Sequence, residues 1–152
     1  MVATYESAIE QIAQSVFSTM LNVELIRVEQ PAPSDHDLLL ATVHIVGAWT
    51  GSIVLALSPE AAVEAAATML QVDAAEVAAA DREDVAAELV NMIGGNLKGV
   101  LPGPSFLSLP TIVSGNDFGM KVRDSELLDD LMLSGGNGVL RLRLYTQAGD
   151  AI

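Results

Sequence analysis

Apolar positions recur along the chain with two different periods, and the switches between them outline the elements. Over residues 4–22, Ile9, Ile12, Ala13, Val16, Phe17, Met20 and Leu21 return at steps of three and four, which predicts an amphipathic helix with Thr4 as its N-cap. Residues 23–29 switch to a strand-like run, and a polar, proline-punctuated loop follows at residues 30–35. Residues 38–46 and 51–57 are rich in Val, Ile and Leu, and Gly47 and Gly51 bracket Ala48-Trp49-Thr50, so they predict a β-hairpin. Ser58-Pro59-Glu60 then carries the start signals of a helix that reaches Leu70. Residues 73–79 read as a short helix or turn, and residues 81–99 as a long helix with Asp81, Glu83 and Asp84 loading its positive end.

Pro102-Gly103-Pro104 ends that helix. Residues 107–113, 118–122 and 139–147 read as strands. In the last of these, Leu140, Leu142 and Leu144 alternate with Arg141, Arg143 and Tyr145 behind a Gly135-Gly136-Asn137-Gly138 turn. The acidic stretch 124–130 has no clear period. The order helix, strands, two helices, strands predicts an α+β fold: a single domain over residues 1–152, with a largely antiparallel sheet against which the N-terminal helix and two further helices pack.

Charge removes several function classes. Acidic residues outnumber basic ones 20 to 7, for a net charge of −13, which leaves no cationic stripe for a phosphate backbone or an anionic membrane surface. Without cysteine there is no thiolate nucleophile or metal ligand, and His36 and His44 alone make a histidine zinc site a poor expectation. The pattern over residues 1–20 includes Glu6 and Glu10 and lacks the basic start of a signal peptide, so a cytoplasmic protein is expected. His36 reads as a loop residue, His44 as core or interface, and Trp49 as a hairpin-tip residue able to contact a partner. Asp124, Glu126, Asp129 and Asp130 do not have EF-hand spacing and read as a solvated acidic surface.

The 81–99 helix holds the informative chemistry. Glu88 and Asn91, three residues apart, share a face, and Asp84 extends it by one turn. Val85, Leu89, Met92, Ile93 and Leu97 take the core side. Gly94 and Gly95 follow, and a glycine pair inside a helix suggests close packing on the backbone. Alone, Glu-x-x-Asn equally describes a solvated polar face.

The wider pattern is more specific. Asp84-x-x-x-Glu88-x-x-Asn91, continuing Met92-Ile93-Gly94-Gly95-Asn96, resembles the signature helix of the CheX/CheC family of chemotaxis phosphatases. That family's pattern has Asp or Ser, then Glu, then Asn at this spacing, followed by a strand opening with Pro. Ser108-Leu109-Pro110-Thr111-Ile112-Val113-Ser114-Gly115 looks like that strand. The resemblance runs over residues 51–115 and is looser outside them. CheC-type members often carry two such motifs; here only Glu88 is followed by Asn three positions on, which is closer to CheX.

The resemblance implies dephosphorylation of the aspartyl phosphate of a CheY-like response regulator. Asn91 would orient a water for in-line attack, and Glu88 would pair with the regulator's active-site Lys. Asp84 is a weaker partner-binding candidate, since helix-dipole electrostatics explains it equally well. No cofactor of its own is implied; Mg²⁺ is expected in the partner. The rival class is a non-catalytic adaptor that docks a receiver domain through the same helix. A third, weaker expectation is an acidic structural subunit like the rotor-switch relatives. Family likeness also implies a homodimer joined at a sheet edge, with strand 38–46 or 139–147 as the expected edge.

Overall fold

Helix α1 (Glu6–Leu21) turns Ile9, Ala13, Val16, Phe17 and Leu21 inward. It stops at Asn22, whose left-handed backbone (φ 54°) an Asn tolerates better than most residues. A computed structural model describes residues 5–29, 38–113, 125–136 and 138–147. The expected Thr4 cap, the 30–35 loop, His36, Asp124 and the 118–122 strand lie outside them.

Among the described residues, seven strands form one antiparallel sheet: β1 (Ile26–Val28), β2 (Leu39–Gly47), β3 (Gly51–Leu57), β4 (Ser105–Leu107), β5 (Thr111–Val113), β6 (Ser125–Gly135) and β7 (Gly138–Gln147). Their order is β1-β6-β7-β3-β2-β4, with β5 also pairing β2. The expected hairpin is present, running from Leu39↔Leu57 to Ile45↔Gly51. Its tip differs from expectation: Trp49 is only 9% exposed and belongs to the core, so it is not a free contact for a partner. Gly51 makes room for the ring, since a Cβ there would lie 2.4 Å from Trp49 Cη2.

Helix α2 (Pro59–Leu70) begins as its sequence predicts. Ser58 Oγ accepts from Ala61 N at 3.2 Å and from Val139 N at 3.1 Å, so one hydroxyl caps the helix and ties it to β7. A single 3₁₀ turn (Ala74–Glu76) leads to helix α3 (Ala79–Lys98). There Asp81 Oδ2 accepts from Ala78 N at 2.9 Å, so the acidic start is a cap as well as a match to the helix dipole.

The three helices cover one face of the sheet. Val43, Ile45, Ile53, Leu55, Leu57, Leu131, Leu133, Leu140, Leu142 and Leu144 join the inner helix faces in a continuous core. The other sheet face carries a small apolar cluster around Leu38, Leu40, Val54 and Ala56, and beside it a charged group. In that group Arg141 Nε and Nη2 donate to Asp130 Oδ1 and Oδ2 at 2.7 and 2.5 Å.

Three further sequence expectations need correction. The acidic stretch opens a full strand, β6, in which Asp129 and Asp130 point to opposite faces. Asp129 is buried and accepts from Tyr5 N at 3.0 Å, at the start of α1, while Asp130 is ion-paired. They therefore hold the fold together and are not simply a solvated surface. The continuous 107–113 strand is two short ones, β4 and β5, separated by residues 108–110 before and including Pro110. Finally, β2 and β7 are both internal, so neither is the free edge expected for pairing with a second copy. Among the described residues, the edges are β1 on one side and β4 with β5 on the other.

Candidate functional site

Helix α3 lies across β2 and β3 with Val85, Ala86, Leu89, Val90, Ile93, Gly94 and Leu97 buried. Its packing is close because Gly94 lacks a side chain: a Cβ there would sit 2.7 Å from Val43 Cγ2. That inner face fixes which residues look outward. Asp84, Glu88, Asn91 and Gly95 are all exposed. At about 3.6 residues per turn they form one stripe along the helix.

The structure thus brings Asp84, Glu88 and Asn91 to a single surface, as their spacing predicts. Among the described residues, no hydrogen bond or ion pair engages the side chain of any of the three. This differs from other polar groups nearby. Asn96 folds back to donate from Nδ2 to the Met92 carbonyl at 2.8 Å, so its amide is used within the helix. His44 is exposed on the opposite sheet face, with Nδ1 3.1 Å from Ser52 Oγ.

The stripe is the outward face of a helix, and the clefts among the described residues lie elsewhere. A cleft of about 330 Å³ lies between Leu38, Pro59, Val63 and Arg82, and others lie along α2 and at the end of α1; none is lined by Asp84, Glu88 or Asn91. The arrangement suits insertion of two side chains into a site that another macromolecule provides. Asn91 offers an amide that donates and accepts at once, and Glu88, when ionised, offers acceptors and no donor. Among the described residues, no three His, Asp or Glu side chains converge as a metal site, and no helix is long and apolar enough to cross a membrane.

Sequence reasoning treated the two glycines alike, whereas they face different ways. Gly94 meets the sheet, while among the described residues a Cβ on Gly95 would find only Leu107 Cδ1, at 3.8 Å. The signal that separates them was already in the helical period, which puts Gly95 one turn beyond Asn91 on the outer stripe.

The fold is shared with solved proteins. CheX from Vibrio vulnificus superimposes with a TM-score of 0.79 over 95% of this chain and 97% of that one, at 18% identity. CheX from Desulfovibrio desulfuricans gives 0.74 over 93% and 97%, at 20% identity. The CheX–CheY–BeF3–Mg²⁺ complex from Borrelia burgdorferi gives 0.75 over 97% and 99%, at 20% identity. No individually curated protein matches by sequence. The family model described as chemotaxis phosphatase CheX matches residues 39–128, more than half of the chain, and this span includes β2, β3, α2 and all of α3. The chain therefore belongs to the CheX family of chemotaxis phosphatases.

Proposed function

We propose that the chain hydrolyses the aspartyl phosphate of a CheY-like response regulator, with Asn91 and Glu88 as its working pair. The observation that carries this reading is the outward stripe itself. Two polar side chains with no partner among the described residues stand on a helix whose other face is locked into the core. Membership of the CheX family and the existence of a solved CheX–CheY complex from Borrelia burgdorferi support the substrate class.

In this reading the helix lies over the regulator's phosphorylated site. The Asn91 carboxamide accepts from a water and directs its lone pair at phosphorus, opposite the aspartyl oxygen. The new P–O bond forms as the bond to the aspartyl oxygen breaks. Inorganic phosphate leaves, the regulator's carboxylate is restored, and the water's proton passes to phosphate oxygen or solvent. Such a reaction is governed by positioning and charge, so one amide is enough to matter. Glu88 pairs with the regulator's Lys and holds the register through a charge-assisted bond. Asp84 extends the contact by one turn. Mg²⁺ belongs to the regulator, and the reaction takes place where regulators signal, in the cytoplasm.

We extend the proposal to a homodimer paired through β4 and β5, which form a sheet edge among the described residues and where Phe106 is 71% exposed. Light scattering that gives the mass of one chain at every micromolar concentration tested would exclude it.

The decisive experiment is phosphate release from receiver domains of the same organism, each charged with a small phosphodonor. Acceleration with at least one regulator is expected. Binding without acceleration would favour the adaptor reading, and acceleration with none would remove the hydrolase.

A further inference from the structure

Gly95 is a cost that the fold does not explain. It sits inside a helix and is exposed, and its backbone is not among the left-handed glycines. An alanine there would stabilise the helix by about 1 kcal/mol. Nothing among the described residues forbids one, because the added Cβ would make only an ordinary contact with Leu107 Cδ1 at 3.8 Å. Its neighbour Gly94 shows what an internally required glycine looks like, with Val43 Cγ2 at 2.7 Å.

Its position supplies the missing reason. At about 3.6 residues per turn, the azimuth of Gly95 falls between those of Glu88 and Asn91, one turn further along. A helical side chain leans toward the N-terminus, so any Cβ on Gly95 would rise beside Asn91. Asn is short. For its amide to reach a phosphoryl group held by another protein, the helix backbone must come close to that protein. The helix is bare on the stripe where that approach is needed.

We propose that Gly95 is a positioning residue for the docked regulator: its absent side chain lets the regulator's surface settle against α3, bringing Asn91 and Glu88 within reach of the phosphorylated site. This rests on the function proposed above and adds the steric condition under which it works. The floor beside Gly95 is the half-buried Leu107, so the part of the regulator seated there meets an apolar margin while Glu88 makes the charged contact.

The test uses the full chain with Gly95→Ala and Gly95→Leu. It measures the melting midpoint, kcat and KM on the phosphorylated regulator, and affinity for the regulator loaded with beryllium fluoride. Gly95→Ala should raise the midpoint by about 2–4 °C. Affinity should fall roughly tenfold for Ala and roughly a hundredfold for Leu, with KM rising in step because the docked surfaces no longer close, and kcat should fall too, since holding reacting groups about 1 Å out of place can cost roughly a hundredfold in rate. Wild-type affinity in Gly95→Leu would overturn the proposal. So would equal losses for Ala and Leu, which would indicate a need for flexibility, or a lowered midpoint in Gly95→Ala, which would make the glycine structural. The affinity arm separates the two readings. A wild-type chain that binds the loaded regulator without hydrolysing the phosphorylated one sinks the hydrolase, while graded loss of that binding still supports the role of Gly95.

Discussion

On the inner face of α3, Val85, Leu89, Ile93 and Leu97 are buried among the strands, and even a glycine is fixed there by the nearness of Val43. On the outer face, Asp84, Glu88, Asn91 and Gly95 meet solvent, and the three polar side chains engage no partner among the described residues. The same twenty-residue helix therefore serves two purposes. One side is specified by the fold and explains itself by burial. The other costs stability at Gly95 and is not explained by burial; the function proposed above gives it a reason, a second molecule that completes it. Substitutions on the two faces should consequently separate stability from activity.

The sharpest test sets Leu89 against Asn91. Leu89 is fully buried, so Leu89→Ala should cost about 2–5 kcal/mol of stability through lost transfer energy and the cavity left behind. Below its lowered melting temperature, the variant should retain near-normal phosphatase activity. Asn91→Ala should do the reverse. Denaturant midpoints should match wild type, while kcat falls by roughly a hundredfold or more with KM little changed, because the amide acts only in the attack step. Denaturation curves and phosphate release on both variants check the pair. Wild-type turnover in Asn91→Ala would break the comparison at its centre.

Glu88 gives a smaller effect, placed on binding. Glu88→Gln keeps the shape and removes the charge proposed to meet a regulator lysine. The expected loss is about 2 kcal/mol of docking free energy, at the low end for truncating one partner of a buried charge pair. Calorimetry against the beryllium fluoride-loaded regulator measures it directly. The wild-type affinity should weaken with salt more steeply than that of the variant. Equal affinities at low salt would mean that Glu88 makes no charged contact.

The two faces also differ in how far the sequence alone revealed them. The inner face, the hairpin and the alternating β7 were legible because burial writes itself as a period of about 3.6 or of two. The outer stripe was legible as spacing, but its meaning came from resemblance, since a solvated face has the same pattern. What was missed involves long-range partners. Trp49 appeared free at a loop tip, yet the space left by Gly51 lets it fold inward. Asp129 and Asp130 looked like a charge run, and only the register places one under the start of α1 and the other opposite Arg143. The irregularity between Leu127 and Asp129 further hid β6, because a bulge breaks the strand alternation that would have announced it.

Those aspartates provide the last and smallest test, a carboxylate held within the chain to compare with one that is not. Asp130 is bridged by Arg141 in a two-pronged contact and approached by Arg143 Nε at 4.0 Å. The hydrogen bonds from Arg141 hold its carboxyl below the usual carboxylate range. Partial burial works against that lowering, and the charges of Arg141 and Arg143 add to it. A lowered folded-state pKa means that the ionised form contributes stability above the unfolded-state pKa. The contribution disappears as pH falls through the folded value. Asp130→Asn should thus lower the stability at neutral pH by about 1 kcal/mol, the upper end for an exposed pair with good geometry. The difference from wild type should shrink as the pH drops below about 4. Phosphate release near neutral pH should be unchanged, because Asp130 lies on the sheet face away from α3. Glu88→Gln should show the opposite result, with weakened docking at an unaltered melting midpoint. Thermal melts of both variants between acid and neutral pH, run beside phosphate-release assays, make the distinction. An Asp130→Asn gap that widens on acidification would contradict the ion-pair account. A loss of phosphatase activity in that variant would show that the far face of the sheet also takes part in the reaction, and that activity is not confined to the outer stripe of α3.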